Sequence, residues 1–293
     1  MSNLILPQKC LHLLDAKKVK KFRLDSPYAI FIKIDGWYLT IDYINGDWGQ
    51  LTSSAGRVVP SLTYISSFFP QVKGITGDYR FIFEGTIPDL TFHEMNGRFN
   101  KKEEQVLSPI LHLHDIIPLN NTSDYAFSLR YELAKNYIQN LEDVLEYKTE
   151  LVKTLDITLE EDMFYFWFDQ ITSASGEGIV AKQLNAPYCP GKRNSSMLKL
   201  KEEVTLDLKV IGVERGKGKY EDTLGSLICQ RKNGVIVTVS GMTDKQREEW
   251  WENSALIVNS IVEVRAMKEL PDGTLYQPRF KLVRTDKTTG DID

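Results

Sequence analysis

The chain has 293 residues, of which 42% are hydrophobic and 26% charged, and a formal net charge of -4. That length allows one large or two modest domains, and the composition is that of an ordinary soluble globular protein. No apolar run approaches a membrane span, no signal peptide pattern opens the chain, and no global basic field exists, so any nucleic-acid contact must come from local clusters.

The three cysteines, Cys10, Cys189 and Cys229, are odd in number and far apart. This argues against a disulfide framework or a zinc knuckle and fits a reducing cytoplasm. Lys17, Lys18, Lys20, Lys21 and Arg23 then form a basic run. It reads either as a solvated face or as an edge that contacts phosphate.

An apolar strand is expected from Tyr28 to Ile34, and within it lies Lys33-Ile34-Asp35-Gly36. Alternation puts Lys33 and Asp35 on one face, with Ile32 and Ile34 on the other. A lysine held against a sheet and partly desolvated is expected to have a lowered pKa, which makes it a usable amine nucleophile. Four common residues carry little alone, and they gain weight only in combination with acids and lysines further along the chain.

Trp37 to Tyr43 alternates well, Asn45-Gly46 signals a turn, and Gln50-Leu51-Thr52 begins a return strand, so the stretch reads as a hairpin. A small polar loop, Ser53 to Arg57, comes next. Tyr79 to Ile87 is a further strand, interrupted by Glu84. A carboxylate inside such a run is costly unless it is paired or binds something, and a structural ion pair competes with a functional role.

Ile110 to Leu119 is expected as a strand with His112, His114 and Ile116 on one face. The two histidines lack acids in ligand register and make a poor metal site. Residues 125–154 read as helical, with Leu129, Leu133, Leu141, Val144 and Leu145 in register. Thr158 and Glu161 suggest a capping box before a second helix, with Met163, Phe164, Phe166, Trp167 and Ile171 as core.

Glu177-Gly178-Ile179-Val180-Ala181-Lys182 again brackets a short buried strand with an acid and a lysine. After the basic loop Pro190 to Ser196, Lys199 and Lys201 point the same way along one strand. Two such lysines repel unless an anion lies between them, and phosphate is the natural candidate.

Composition shifts near Glu202-Glu203. Strands are expected at Leu206 to Glu214, Leu224 to Arg231, Val235 to Ser240, Ile261 to Lys268 and Arg279 to Arg284, with a helix from Thr243 to Asn253 closed by a Gln246 capping box. Five strands with a helix between the third and fourth is the order of an OB-type barrel, which commonly binds nucleic acid. Arg215, Lys217 and Lys219 crowd its first loop, and Arg284, Asp286 and Lys287 end its last strand. There is no internal repeat and no Walker-type phosphate loop.

In this order and spacing, Lys33-Ile34-Asp35-Gly36, Glu84-Gly85, Glu177 to Lys182, Lys199-Leu200-Lys201 and the barrel resemble the covalent nucleotidyltransferases. These comprise the ATP-dependent polynucleotide ligases and the mRNA-capping enzymes. The chain is most similar to the compact DNA ligases of phages and large DNA viruses. Met267 to Gly273 with Gln277-Pro278-Arg279-Phe280 is similar to the end of phage ligase barrels.

The resemblance implies an α+β protein of two domains. Residues 1–203 would be a nucleotidyltransferase (adenylation) domain of antiparallel sheets with flanking helices, and residues 204–293 an OB-fold barrel. It implies that Lys33 takes AMP from ATP and passes it to the 5′-phosphate of a nick, after which the 3′-hydroxyl displaces AMP. Lys199 and Lys201 would hold the α-phosphate and Asp35 would help position the 3′ end or a metal. Glu84 and Glu177 would bind Mg²⁺ (or Mn²⁺ in its place) or ribose hydroxyls.

His114 would stack on adenine. Arg284 and Lys287, in Arg284-Thr285-Asp286-Lys287, would orient pyrophosphate, and Ile32, Arg57 and Lys182 would complete the ATP site. The barrel would swing about the segment near Glu202-Glu203.

Two positions depart from the family. Tyr38 and Ser54 stand where arginines are usual, and neither replaces a bidentate phosphate donor. Arg57, three residues on, is the nearest substitute.

ATP is expected over NAD⁺, because the chain has no room before Lys33 for a nicotinamide-binding domain and no Cys-x-x-Cys. Nicked duplex DNA is the expected partner of a monomer in the cytoplasm, with no membrane contact. The alternatives are an RNA ligase, a capping guanylyltransferase that charges Lys33 with GMP, or an inactive nucleic-acid-binding relic.

Overall fold

The computed structural model describes residues 5–17, 24–70, 77–120, 125–141, 147–270, 272–288 and 292. Met1–Lys201 and Glu202–Asp293 form two separate compact units.

The first unit begins with β1 (Lys9–His12), α1 (Leu13–Lys17), β2 (Tyr28–Ile32), β3 (Trp37–Ile44), β4 (Asp47–Trp48) and β5 (Thr52–Ser53). It continues with β6 (Tyr79–Thr86), α2 (Phe92–Phe99), β7 (Ile110–Pro118), α3 (Phe127–Gln139), β8 (Lys148–Leu151) and β9 (Thr154–Thr158). It ends with α4 (Glu161–Ser173), β10 (Gly178–Gln183) and β11 (Arg193–Lys201). One sheet has the order β1-β11-β10-β2-β9 and the other β4-β3-β6-β7-β8, with β5 on β3. Most pairs are antiparallel, but β1 with β11 and β7 with β8 run parallel, so the sheets are mixed rather than wholly antiparallel.

The Asn45-Gly46 signal works as expected. Both residues take positive φ (53° and 90°), the requirement of a type I′ hairpin, and the turn returns Tyr43 against Trp48. Strand alternation then divides each sheet into an apolar and a polar face. In the first sheet Tyr28, Ile30, Ile179, Ala181, Leu198 and Leu200 pack on Leu13, Ala16 and Phe164 from α1 and α4. In the second, Leu39, Ile41, Phe81, Phe83, Leu111 and Ile116 pack on Met95 and Phe99 of α2 and on Ala134 and Tyr137 of α3. Each such large side chain contributes about 1.5–3 kcal/mol on burial.

The opposite faces meet. Lys182 Nζ donates to the His114 carbonyl at 3.0 Å and lies 3.8 Å from Asp115.

Several local expectations are corrected. The strand carrying Lys33 ends at Ile32, which is exposed, and Lys33 to Asp35 lie beyond it. The helix expected over 125–154 stops at Gln139, where the Asn140 side chain donates to Asn136 O at 2.7 Å, and Lys148–Leu151 is a strand. Its buried stripe is Phe127, Arg130, Ala134 and Tyr137, one step off the leucine series, so Leu129 faces solvent. Val144 and Leu145 lie outside the described residues, as does the basic run from Lys18 to Arg23.

The Thr158 hydroxyl accepts from Glu160 N, and α4 starts without a side-chain cap rather than with a capping box. Phe164 of α4 is buried, but Phe166 is exposed. A bulge opposite Ile82 and Phe83 inserts one residue at His114. Ile116 therefore turns into the core, away from the histidines whose face it is expected to share.

The second unit contains β12 (Val204–Arg215), β13 (Leu224–Gln230), β14 (Ile236–Val239), α5 (Asp244–Glu252) and β15 (Ile261–Ala266). The short β16 (Lys268–Glu269) and β17 (Leu275–Tyr276) precede β18 (Arg279–Val283). The main sheet has the order β14-β13-β12-β15-β18. A parallel bridge of Ser240 to Arg279, with Phe280 N donating to Ser240 O at 2.7 Å, links the third long strand to the last and closes the barrel. The Thr243–Gln246 capping box is present. No helix among the described residues is long and apolar enough to cross a membrane.

The first unit also buries an ion pair. Arg130 Nε and Nη2 donate to Asp115 at 2.8 and 3.2 Å, tying α3 to β7, and Arg130 Nη1 donates to Tyr125 O. Removing one partner of such a pair strands the other in low dielectric. Arg130→Met should lower the unfolding free energy by about 3–5 kcal/mol in denaturant titration. A loss below about 1 kcal/mol would show that Lys182 alone satisfies Asp115.

Candidate active site

Register places the central residues. Ile179 pairs with Ile32 on β2, and Gly178 pairs with Lys201 on β11. One step beyond Ile32, Lys33 N donates to Gly178 O at 2.8 Å, so Lys33, Gly178 and Lys201 form one row across three chain segments.

Glu177, immediately before Gly178, is thereby held between the two lysines. Its Oε2 accepts from Lys33 Nζ at 2.6 Å and its Oε1 lies 3.8 Å from Lys201 Nζ. All three side chains are mostly buried. Gly178 must be glycine: its φ is +141°, and a Cβ would come within 2.2 Å of Leu200 O.

A second acid faces this pair from the other sheet. Glu84 on β6 has Tyr38 and His112 as its cross-strand neighbours. Gly36 lets the chain pass beside it, since a Cβ there would meet Gly85 O at 2.7 Å and Glu84 Cγ at 2.8 Å. Burial pushes the Glu84 carboxyl up to about 7. Lys33 opposes that rise, while the negative charges of Glu177 and Asp35 add to it.

Lys33 corrects the expectation of a lowered pKa. Burial alone pushes its ammonium down, but Glu177, by charge and hydrogen bond, and Glu84, by charge, outweigh burial and the net shift is upward. The resting lysine is thus a cation, and it would serve as an amine nucleophile only after losing a proton.

His114 is half-buried near Lys182, His112 and Lys33, and desolvation first, then the electrostatic influence of Lys182, His112 and Lys33, holds its imidazole well below its ordinary pKa. His112 lies between Thr86 (2.8 Å from Nε2) and Glu150 (2.8 Å from Nδ1). Lys199 shares the strand face of Lys201, and both it and Lys33 act electrostatically on Cys10 of β1. Nothing in the sequence singles out Cys10 as a site residue, and only the parallel pairing of β1 with β11 reveals it.

Lys182 stands apart from the Lys33–Glu177 pair. Its ammonium is committed to the His114 carbonyl, to Asp115 and to the ring of Phe127, 4.7 Å away. Arg57 is exposed in a loop closed by Ser53 N to Arg57 O, and no contact joins it to the lysine cluster among the described residues. Tyr38 does not reproduce an arginine: its phenol shares a hydrogen bond with Tyr188, whose hydroxyl accepts from Gln8 N.

In the second unit Arg284 donates to Asp286 through Nε and Nη2 at 2.9 and 2.7 Å, and to Asp207 through Nη1 at 2.7 Å. Lys287 Nζ lies 2.5 Å from Asp207.

A lysine paired to a glutamate within two facing sheets, with an OB-type barrel as a separate unit, defines the class as the lysine-dependent nucleotidyltransferases. Residues 64–201 match the ATP dependent DNA ligase domain and residues 215–284 the DNA ligase OB-like domain, together more than half of the chain. The DNA ligase of Haemophilus influenzae is 28% identical over 221 residues, 73% of this chain and 76% of that protein. DNA ligase 1 of Korarchaeum cryptofilum is 33% identical over 183 residues, 59% of this chain but only 30% of that protein.

The fold is also that of solved ligases. The ATP-dependent DNA ligase of bacteriophage T7 in complex with ATP gives a TM-score of 0.59 at 17% identity, over 95% of this chain and 98% of that one. A Lig E DNA ligase gives 0.67 at 17% identity, over 96% and 100%. The chain belongs to the ATP-dependent DNA ligase family, enzymes that seal nicks through a lysyl-AMP intermediate.

The Glu84 shift has a testable sign. A carboxyl whose folded pKa is raised adds stability below its ordinary value of 4.5, and that stability is lost as pH rises through about 7. In metal-free buffer the stability advantage of wild type over Glu84→Gln should shrink by about 3 kcal/mol between pH 4 and pH 8, read by denaturant unfolding. A constant difference would show that Glu84 titrates normally.

Proposed function

We propose that this chain seals 5′-phosphate/3′-hydroxyl nicks in duplex DNA, with Lys33 as the residue that carries AMP. The observation that supports this most directly is the Lys33–Glu177–Lys201 row. It presents one nucleophile and one phosphate-binding cation on either side of an acid.

In the first step the Lys33 amine attacks the α-phosphorus of ATP. The N–P bond forms, the bond to the β-phosphate oxygen breaks, and pyrophosphate leaves. Lys199 and Lys201 neutralise the α-phosphate, and His114, as a neutral ring, stacks on adenine. Glu177 holds the Lys33 ammonium in place until it gives up its proton to solvent. In the second step a 5′-phosphate oxygen displaces Lys33 from AMP. In the third the 3′-hydroxyl, positioned with the help of Asp35, displaces AMP and closes the strand. Arg284 and Lys287 orient the departing pyrophosphate of the first step. These assignments rest on positioning and charge more than on covalent help from the protein.

Among the described residues no three His, Cys, Asp or Glu side chains converge into a metal site, so the support for Mg²⁺ is two acidic side chains that interact electrostatically. Glu84 and Glu177 offer hard oxygen donors, and the negative charge of Glu177 adds to the burial that raises the Glu84 pKa, a repulsion that a divalent cation would relieve. Glu84 and Glu177 would hold it, with Mn²⁺ as a substitute. When bound it supplies positive charge that weakens the hold of Lys33 on its proton and neutralises phosphate oxygens.

Intact mass after stripping with pyrophosphate and incubation with Mg²⁺ and ATP should show one AMP adduct. Lys33→Ala should show none, GTP should give none, and nicked duplex DNA should discharge the adduct. A GMP adduct would move the chain to capping chemistry. No adduct on folded wild-type protein would overturn the assignment.

A further inference from the structure

A small cavity in the first unit lies where β7, β10 and α3 meet. Its wall includes Asp115, Lys182, Arg130, Gln8 and Ser196. The space open to the centre of a water-sized sphere is about 10 Å³. That is room for one solvent molecule or one monatomic ion, and too little for a tetrahedral oxyanion.

The charges on this wall are buried and unequal. Arg130 is 3% exposed, Asp115 4% and Lys182 8%. Two cations thus share one acid, and among the described residues no second acid pairs with either of them. Burial pushes the Lys182 ammonium below its ordinary pKa; Asp115 opposes this and Arg130 adds to it. One carboxylate therefore leaves the second cation incompletely compensated in a poorly solvated place.

The hydrogen bonds give the same sign. Both Asp115 oxygens accept from the Arg130 fork, at 2.8 and 3.2 Å. Arg130 Nη1 donates to Tyr125 O and Ala186 O, so one N–H on Nη2 is left over. Lys182 Nζ makes one hydrogen bond, to His114 O at 3.0 Å, and at 3.8 Å Asp115 Oδ2 is out of hydrogen-bond range. The Phe127 ring, 4.7 Å from Nζ, takes only one side of the ammonium. Gln8 accepts from Cys189 N through Oε1 and donates one Nε2 hydrogen to Ser196 Oγ, which leaves its second N–H. The Ser196 hydroxyl itself donates to Asn194 Oδ1. What these side chains hold in reserve is N–H from Lys182, Arg130 and Gln8, while the one acid is already bound twice.

We propose that the cavity is a halide site, filled by chloride, with Lys182, Arg130 and Gln8 as its donors. A water bridging Lys182 to Asp115 would satisfy a donor but add no charge. Chloride accepts from the spare N–H groups and also neutralises the excess cation. It fastens β10 to α3 and β7 at a point that does not depend on the nick-sealing reading.

The test follows thermal unfolding of the full chain at constant sodium, with chloride replacing glutamate, an anion too large for the cavity. The wild-type melting temperature should rise by about 3 °C along a saturating one-site curve. Lys182→Met keeps Asp115 paired with Arg130. It should lose the saturating part and retain only the drift that a change of salt gives any protein. Wild-type crystals soaked in bromide should show an anomalous peak within hydrogen-bond reach of Lys182 Nζ.

A wild-type curve without saturation would overturn the site, as would the same saturating curve in Lys182→Met. A cavity that holds a water and no anomalous peak would assign the bridging water instead. If Lys182→Met does not fold, the wild-type curve and the bromide peak decide: both present sustain the halide site, and the absence of either removes it.

Discussion

The contact on which the site depends is Glu177 between Lys33 and Lys201. It follows from backbone register rather than from any property of the side chains alone. Once β10 pairs with β2 on one side and β11 on the other, the residue before Gly178 must fall between residue 33 and residue 201. Gly178 makes this possible by taking a backbone conformation and a contact distance that no other residue accepts. The consequence is a confined triad in which Lys33 is more basic than a free lysine. In the role proposed for Lys33 the nucleophile is therefore stored in its unreactive form, and whatever binds the site must shift that balance.

A second cluster sits beside the first. Asp115 accepts a bidentate pair from Arg130 and faces Lys182, all three nearly inaccessible to water. Lys182 also donates to the His114 carbonyl, so the bulge that aims His114 is fastened by the same charges that tie α3 to β7. Breaking the Arg130–Asp115 pair would thus reach the site through the backbone of β7, not through lost contact with a ligand. This also explains why Lys182, the next-to-last residue of β10, is a structural cation in this geometry.

Much of the fold is legible in the sequence because strands alternate and turns have strict conformational needs. The Asn45-Gly46 hairpin, the five long barrel strands, the Thr243 capping box and the pairing of Lys199 with Lys201 on one face all follow from local rules. The misses also have physical causes. A single extra residue at His114 reverses the face of Ile116, and no side-chain pattern in Ile-Leu-His-Leu-His-Asp-Ile-Ile announces a bulge. The helix from Phe127 buries an arginine in its apolar stripe because Asp115 awaits it, so a count of leucines includes the exposed Leu129 and misses Arg130, although Leu133 and Leu141 do pack on the core. The sign of the Lys33 shift is lost when desolvation is weighed without Glu177, which is 144 residues distant in sequence. Tyr38 reads in the sequence as a missing arginine, yet only the structure shows its phenol turned to Tyr188.

The three ionic clusters share one plan: a poorly exposed carboxylate with two cations on it. Glu177 holds Lys33 and Lys201, Asp115 holds Arg130 and Lys182, and Asp207 holds Arg284 and Lys287. Considered as triads, each carries one more positive than negative charge, and Asp286 offsets that surplus in the third. The whole chain is nevertheless acidic, at -4. Positive charge is thus concentrated where a carboxylate already orders and partly neutralises it. Bare cations at the same depth would carry a far larger desolvation cost. The shared carboxylate makes that concentration tolerable in the folded state. It also fixes each cation's direction, so the same acids that stabilise the clusters decide which way their remaining charge points.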